Sequence, residues 1–566
     1  MKLLLQLQSL RSSWSSRLFY RLFHKDDVAR TLLNLSKFEA INRCEQEVPE
    51  YFNFASDVLD KWTQLEKDGE RPSTPAFWWI NGMGSEVKWS FEELGFLSKK
   101  VANILSGPCG LQRVDRVVLI LPRIPEWWLV NVACMRTGIV FLTGTTQLTA
   151  KDILYRLQAS KAKGIITTDS LAPVVDSVAS HCQSLKTKVI LSEGRRDGWL
   201  NFKELFEAAP ADHNCVKTKS QEPMTVFFTS GTTGSPKMAE HSHCSFGLGF
   251  AICGRDWLDL TPSDVMWNIS DTGWVKAAIG CIFAPWLRGT CTFIHGMPQF
   301  EPKAILNVRT QTLWICDVPH YKFKSLRHCL TGGEPLNPEV MFQWKNQTGL
   351  DIYEGYGQTE VGIISTNQKG MKIKPGSMGQ PTPPYNVQII DEHCDILPAG
   401  KEGNIAIKIN SKRPFCFFLR YLDNPEKTAA TQRGNFYITG DRGLMDEDGY
   451  LWFVGRSDDV IISSGYRIGP FEVESALIEH PAVVESAVVS SPDPIRGEVV
   501  KAFVVLSPSF VSHDPEKLTL ELQQHVKKLT APYKYPRKME FVQQLPKTVT
   551  GKIRRNELRK KEWGRD

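Results

Sequence analysis

The residues best placed to do chemistry form one string near the middle of the chain, TVFFTSGTTGSPK at 225–237. A β-rich run, TVFF, delivers a loop with two glycines, the hydroxyls of Thr229, Ser230, Thr232 and Thr233, and Lys237. Such a loop can turn backbone N–H groups inward as a nest for an anion, while the hydroxyls and the lysine supply further donors. It is not the common Walker loop, because no Gly-Lys pair precedes the Ser/Thr. Taken alone, a Gly/Ser/Thr loop is usually just a turn. The nearest approach to a metal cluster follows it, His241, His243 and Cys244. These read as ordinary side chains at the start of a helix rather than as ligands.

The elements around that loop predict an α/β architecture. Between 117 and 169, VVLILP reads as a buried strand, PEWWLVNVACMRTG as a helix and IVFLTG as a second strand. TAKDILYRLQASKA is then helical and KGIITTD a third strand. Alternation of this kind implies parallel pairing with right-handed crossovers, hence a layered domain. Pro125 sits in the first helical turn, where its missing N–H costs little. Trp127 and Trp128 read as core. Towards the C-terminus the rhythm changes. DGYLWFVGR and DDVIISSGYRI look like strands of one small sheet, Gly469-Pro470 opens the helix FEVESALIEHPAV, and ESAVVSSPD and GEVVKAFVVL are further strands. PEKLTLELQQHVKKL is a second helix. The pattern predicts a small α+β domain over 458–566, with the boundary near Asp458, after a large domain over 40–457.

Bulk properties exclude several classes. At 566 residues the chain suits two or more domains, and 42% hydrophobic with 23% charged residues is the balance of a globular protein. A formal charge of +6 is a thin footprint for a nucleic-acid binder. The 13 cysteines form no C-x-x-C pair, which argues against a disulfide framework and a structural zinc site. No apolar run reaches the length of a membrane span. Residues 1–25 carry Lys2, Arg11, Arg17, Arg21 and Lys25 among serines and apolar residues, with no acid before Asp26. That is the composition of a mitochondrial transit peptide; the plainer reading is a basic terminus that targets nothing.

The string at 225–237 closely resembles the phosphate loop of the adenylate-forming enzymes, and further motifs of that superfamily follow in order. The resemblance implies ATP contacts from Thr229, Ser230, Gly231, Thr232, Thr233, Gly234, Ser235, Pro236 and Lys237. GGEPLNPE at 332–339 resembles the segment lying along the adenine, with Gly333, Glu334 and Pro335. EGYGQTE at 354–360 resembles the adenine and acid-site motif, implying nucleotide contacts from Glu354, Gly355, Tyr356, Gly357, Gln358 and Thr359, with Glu360 on Mg2+. YITGD at 437–441 implies that Asp441 accepts the ribose hydroxyls. GRSDDVI at 455–461 implies Arg456 near ribose or phosphate and Asp458 as the hinge. PKTVTGK at 546–552 resembles the mobile loop bearing the catalytic lysine, Lys552, acting with Thr359 and Glu360. Singly, Asp441 could be a turn residue and Lys552 one cation of a basic tail.

SSGYRIG at 463–469 resembles the lining of a pantetheine tunnel, with Ser464, Gly465, Tyr466 and Arg467. Arg496, Lys527, Tyr535, Pro536 and Arg537 resemble coenzyme A contacts. From about residue 40 onward the chain is similar to the mitochondrial medium-chain acyl-CoA synthetase family, as in PRIPEWWLVNVACMRTG, SDTGWVKAA and SSPDPIRGEVVKAF. The resemblance implies an ATP-dependent acid–thiol ligase using ATP, Mg2+ and coenzyme A on a medium-chain fatty acid or an aromatic acid, in the mitochondrion and there in the matrix. It also implies that Trp274 borders the acyl pocket. Two departures stand out. The segment EPKAILNVRTQTLWICDVPHYKFK is shorter than the family's, and Thr143 stands where proline is common. The first opens an alternative, a nucleotide- or acyl-binding homologue without turnover. A luciferase-like or peptide-synthetase enzyme is disfavoured by the coenzyme A-facing residues.

Overall fold

The computed structural model describes residues 35–72, 74–229, 236–297, 325–409, 413–464, 466–547 and 552–564. The basic start at 1–25, the loop residues Ser230 to Ser235, residues 301–324 of the shortened segment and Gly465 lie outside them. The chain forms two compact units. One takes Met1–Phe228, Met238–Glu301 and Phe415–Leu422; the other takes Thr229–Lys237, Pro302–Pro414 and Asp423–Asp566.

The first unit holds an eight-stranded sheet. Arg116–Ile120 lies in its interior, parallel to Val140–Thr143 on one side and Gly164–Thr168 on the other. Pro223–Thr229 extends the sheet beyond Val140–Thr143, and Thr187–Leu191 beyond Gly164–Thr168. All four residues of Val140–Thr143 are buried, as expected of a parallel strand covered on both faces. The helices fall where periodicity predicts. Pro125–Thr137 starts on its proline and ends at Gly138, whose φ of +69° gives the left-handed cap that glycine supplies without strain. Ala150–Ser160 opens on a capping box between Thr149 and Asp152. Trp127 and Trp128 are core side chains, 0% and 1% exposed. Arg136, fully buried, is held by Asp60 at 2.7 Å and by Ser98 at 2.9 Å. His241 lies on the strand Lys237–Ser242 and packs its ring against Phe246, while His243 and Cys244 begin the short helix His243–Gly247. Burial lowers the His243 pKa to about 4, so its ring is neutral. No group of three or more His, Cys, Asp or Glu able to hold a metal occurs among the described residues. No helix among them is long and apolar enough to cross a membrane.

Among the described residues the second unit carries three sheets. Cys329–Gly332 runs parallel to Ile352–Gln358, which pairs antiparallel with Gly362–Thr366. Phe436–Met445 is paired with Gly403–Lys408 and with Leu451–Arg456. The third sheet is built on the long hairpin of Val483–Asp493 and Gly497–Leu506, flanked by Ile461–Ser463, Tyr466–Ile468 and Lys538–Phe541. Helices Pro470–Ile478 and Pro515–Leu529 cover it with a common apolar core of Val473, Leu477, Leu518 and Leu522 against Val488 and Val504. Two expectations need correcting. His241 does not stand at the start of a helix but on the strand Lys237–Ser242, and the helix begins at His243. DGYLWFVGR and DDVIISSGYRI do not share a sheet: Leu451–Arg456 pairs with Phe436–Met445, and the chain passes to the third sheet through the turn at 457–459. Both runs alternate as strands should, but alternation does not say which partner a strand takes.

Candidate functional site

The predicted residues of the second unit fall into three groups. The first is built on Ile352–Gln358 and Phe436–Met445. Asp441 is paired in register with Arg456 on the neighbouring strand, so the two side chains meet across the ladder at 2.9 Å. The other carboxylate oxygen of Asp441 accepts from the Tyr356 hydroxyl at 2.5 Å and from the Gln358 amide at 2.8 Å. Asp441 is 3% exposed. Burial raises its pKa, opposed by Arg456 and by the Tyr356 and Gln358 hydrogen bonds. Burial and the facing carboxylate push the Tyr356 phenol well above its ordinary range. Gln358 also donates to the Thr439 carbonyl at 2.6 Å and accepts from Tyr437 at 3.3 Å. Lys237 enters the same electrostatic neighbourhood. Burial lowers its pKa, and Glu360, itself only 9% exposed, opposes that shift.

The second group is the segment that leaves the strand Cys329–Gly332. Gly332 stands in register with Gly355, so Gly333, Glu334 and Pro335 run off beside the motif at 354–360. Gly333 has φ +98°, which a side chain would resist. At Gly357 a Cβ would fall 2.1 Å from the Gly362 carbonyl oxygen, so the strand pair closes only on glycine. Glu354 lies beneath this segment, 3% exposed, accepting from the Leu336 N–H at 3.2 Å. Its Oε2 has no hydrogen-bond partner among the described residues. Burial raises its pKa to about 8, so at neutral pH the group is mostly the neutral acid. Lys552 reaches the same segment. Its Nζ donates to the Gly333 carbonyl at 3.0 Å and lies 3.2 Å from Glu334 Oε1.

The third group carries the residues read as coenzyme A contacts. Ser464, at φ +51°, receives a hydrogen bond from Arg496 at 3.2 Å. Tyr466 stacks on Tyr533 with ring centroids 4.4 Å apart. Lys527 and Arg537 lie over the Tyr535 ring at 4.0 and 4.8 Å, and Arg537 also donates to the Tyr535 hydroxyl. Pro536 is buried, its carbonyl accepting from Gln523, and Arg467 is exposed. Cations ordered on aromatic faces with their outer sides in water suit a phosphorylated ligand. Trp274 belongs to the first unit. It caps the short helix Val275–Ala278 on a turn anchored by Thr272 to the Leu121 carbonyl.

Sequence reasoning missed Tyr437 and Thr439, which hold Gln358. The signal was present for Tyr437, four residues before Asp441 on one strand and therefore on the same face. It also missed Glu474, Asp459, Arg555 and Arg559, which brace the helix after Lys552. In the sequence these two arginines look like part of a solvated basic tail.

The model of the AMP-binding enzyme family matches residues 65–411, and that of the AMP-binding enzyme C-terminal domain matches 472–552. The chain is 67% identical to "Acyl-coenzyme A synthetase ACSM4, mitochondrial" of Rattus norvegicus over 579 residues, covering 100% of both chains. It is 62% identical to the human "Acyl-coenzyme A synthetase ACSM3, mitochondrial", over 96% of this chain and 95% of that one. Among solved structures, the anthranilate CoA ligase AuaEII in complex with anthranoyl-AMP superposes with a TM-score of 0.81 at 28% identity, over 91% of this chain and 98% of that one. ATP-bound MatB from Rhodopseudomonas palustris gives a TM-score of 0.75 at 26% identity, over 90% and 99%.

Proposed function

The chain belongs to the AMP-binding enzyme family, whose acyl-coenzyme A synthetases it matches over its full length, and on that premise we propose how its own residues divide the reaction. It is an AMP-forming acid–thiol ligase that joins a carboxylic acid to coenzyme A through an acyl-adenylate at the expense of ATP. It has the α/β fold of adenylate-forming enzymes, a large N-terminal AMP-binding domain followed by a small C-terminal one. Its relatives are mitochondrial by name, and the chain is assigned to the mitochondrion; we place it in the matrix.

In the first half-reaction a carboxylate oxygen of the acid attacks the α-phosphorus of ATP, and the bond to the departing pyrophosphate breaks. Asp441, aligned by Tyr356, Gln358 and Arg456, receives the ribose hydroxyls. Gly333, Glu334, Pro335 and the stretch from Glu354 to Thr359 hold the base and the reacting phosphate. The loop from Thr229 to Lys237 cradles the outer phosphates. Lys552 opposes the charge that builds on the phosphate oxygens. A group of this kind contributes about 10²–10³-fold in rate. The observation that carries the reading is the seat of the Lys552 ammonium on Gly333 and Glu334.

Glu360 is the carboxylate that would hold magnesium. A nearly buried carboxylate within electrostatic range of the lysine that ends the phosphate loop fits an ion that takes one or two carboxylates and fills its shell with phosphate oxygens and water. Bound there, the ion would neutralise phosphate charge. In the second half-reaction the coenzyme A thiol attacks the acyl carbonyl carbon and AMP leaves. We assign Ser464, Gly465, Tyr466, Arg467, Arg496, Lys527, Tyr535, Pro536 and Arg537 to coenzyme A. Trp274 is assigned to the acyl pocket, and medium-chain fatty acids are the proposed substrates. Asp458 is the proposed hinge and domain boundary. The change of sheet between Arg456 and Ile461 supports it.

The test is coenzyme A-dependent AMP release with butyrate, hexanoate, octanoate, dodecanoate and benzoate, with Lys552→Ala as control. Turnover greatest on hexanoate or octanoate and lost in the variant supports the assignment. Turnover confined to butyrate or benzoate overturns the substrate class, turnover greatest on dodecanoate stays within it, and full activity in the variant overturns the role of Lys552.

A further inference from the structure

The helix Arg555–Trp563 begins three residues after Lys552, so whatever fixes its first turn fixes the lysine. Arg555 is the first residue of that helix and forms a two-pronged contact with Glu474, at 3.0 Å from Nε and 2.6 Å from the terminal nitrogen. Glu474 is 5% exposed and lies on Pro470–Ile478, a helix packed against the third sheet. The same carboxylate accepts from the Val488 N–H at 2.7 Å, which ties it to the central hairpin. One turn further on, Arg559 donates to Asp459 at 2.9 Å and to the Asp458 carbonyl. On the other side of Lys552 the stem is closed by the bridge between Lys547 and Ile553 and by the Arg554 N–H on the Pro546 carbonyl at 2.8 Å.

We infer that Glu474 is a positioning residue for Lys552. Through Arg555 it locks the lysine's helix to the sheet, and the Arg559 contacts lock that helix to the turn at Asp458. A planar guanidinium held by both oxygens of a buried carboxylate has one orientation, which neither a lysine nor a neutral partner reproduces. The lysine, its helix and the hinge turn therefore move as one body. The inference rests on the reading of Lys552 as the lysine of the adenylation step.

The two half-reactions separate the possibilities. Adenylation is followed by acid-dependent exchange of labelled pyrophosphate into ATP. Thioester formation is followed from coenzyme A and the preformed acyl-adenylate of the best acid in the panel above. Glu474→Gln removes the charge, and Arg555→Lys keeps it but loses the two-pronged geometry, which covers the case in which the first variant folds poorly. Both are expected to slow exchange by about 10- to 100-fold, the penalty for misplacing a reacting group by about 1 Å. Both should leave thioester formation at the wild-type rate, the same pattern expected of Lys552→Ala. A parallel loss of both half-reactions would reduce Glu474 to a fold-stabilising role and overturn the inference, as would unchanged exchange in both variants. Failure of Lys552→Ala itself to separate the half-reactions would overturn the assignment of Lys552, and the inference with it.

Discussion

Glu354 should make the apoprotein less stable as pH rises, and Glu354→Gln should remove that dependence. The carboxyl is 3% exposed, accepts one backbone N–H and has one oxygen without a partner among the described residues. Burial raises its pKa from an ordinary 4.5 to about 8. Because the folded value is the higher one, the contribution to stability is present in full below pH 4.5, where both states are protonated. Above that the unfolded chain ionises first, and each pH unit costs about 1.4 kcal/mol until the folded group follows near pH 8. The whole window amounts to about 5 kcal/mol, and the part between pH 5.5 and 8 to about 3 kcal/mol. Glutamine keeps the shape and the acceptor for Leu336 but cannot ionise. The assay is thermal or urea unfolding of both proteins at pH 5.5, 7.0 and 8.5 without nucleotide. The advantage of the glutamine variant should grow with pH and level off above 8. Parallel profiles, or a glutamine variant that loses ground as pH rises, would refute the picture of a neutral buried acid.

Two further substitutions probe other parts of the frame. Tyr356→Phe removes a hydrogen bond to the buried carboxyl of Asp441, worth about 1 kcal/mol or more. The KM for ATP should rise by about tenfold for each 1.4 kcal/mol of that contact which serves nucleotide binding, with the KM for the acid unchanged; an unaltered ATP profile would detach Asp441 from the ribose. Asp60→Ala leaves the fully buried Arg136 with Ser98 as its one polar side-chain partner among the described residues, and unfolding measurements should show a loss of about 3 kcal/mol.

How much of this was legible depends on whether the information is local. The strands and helices between 117 and 169 and the helices Pro470–Ile478 and Pro515–Leu529 were readable, because proline positions and apolar periodicity act within a dozen residues. Pro125, Pro470 and Pro515 each begin a helix in the structure. The motif residues were readable as a set through resemblance, and the structure gathers Asp441, Arg456, Tyr356 and Gln358 on two neighbouring strand pairs. What failed was pairing at a distance. The run around Leu451–Arg456 satisfies the same alternation whether it joins one sheet or the next, so alternation alone does not choose its partner, which is Phe436–Met445. Glu474 and Arg555 lie 81 positions apart, and nothing in either neighbourhood announces the other. Glu354 is the sharper case. Its assignment to the nucleotide site followed from its motif, but its protonation follows from what the fold lays over it. A carboxyl under Leu336 and behind the turn at Gly333 is a different chemical group from the same residue in water. A motif names the side chains available to a site, and the fold decides their charge.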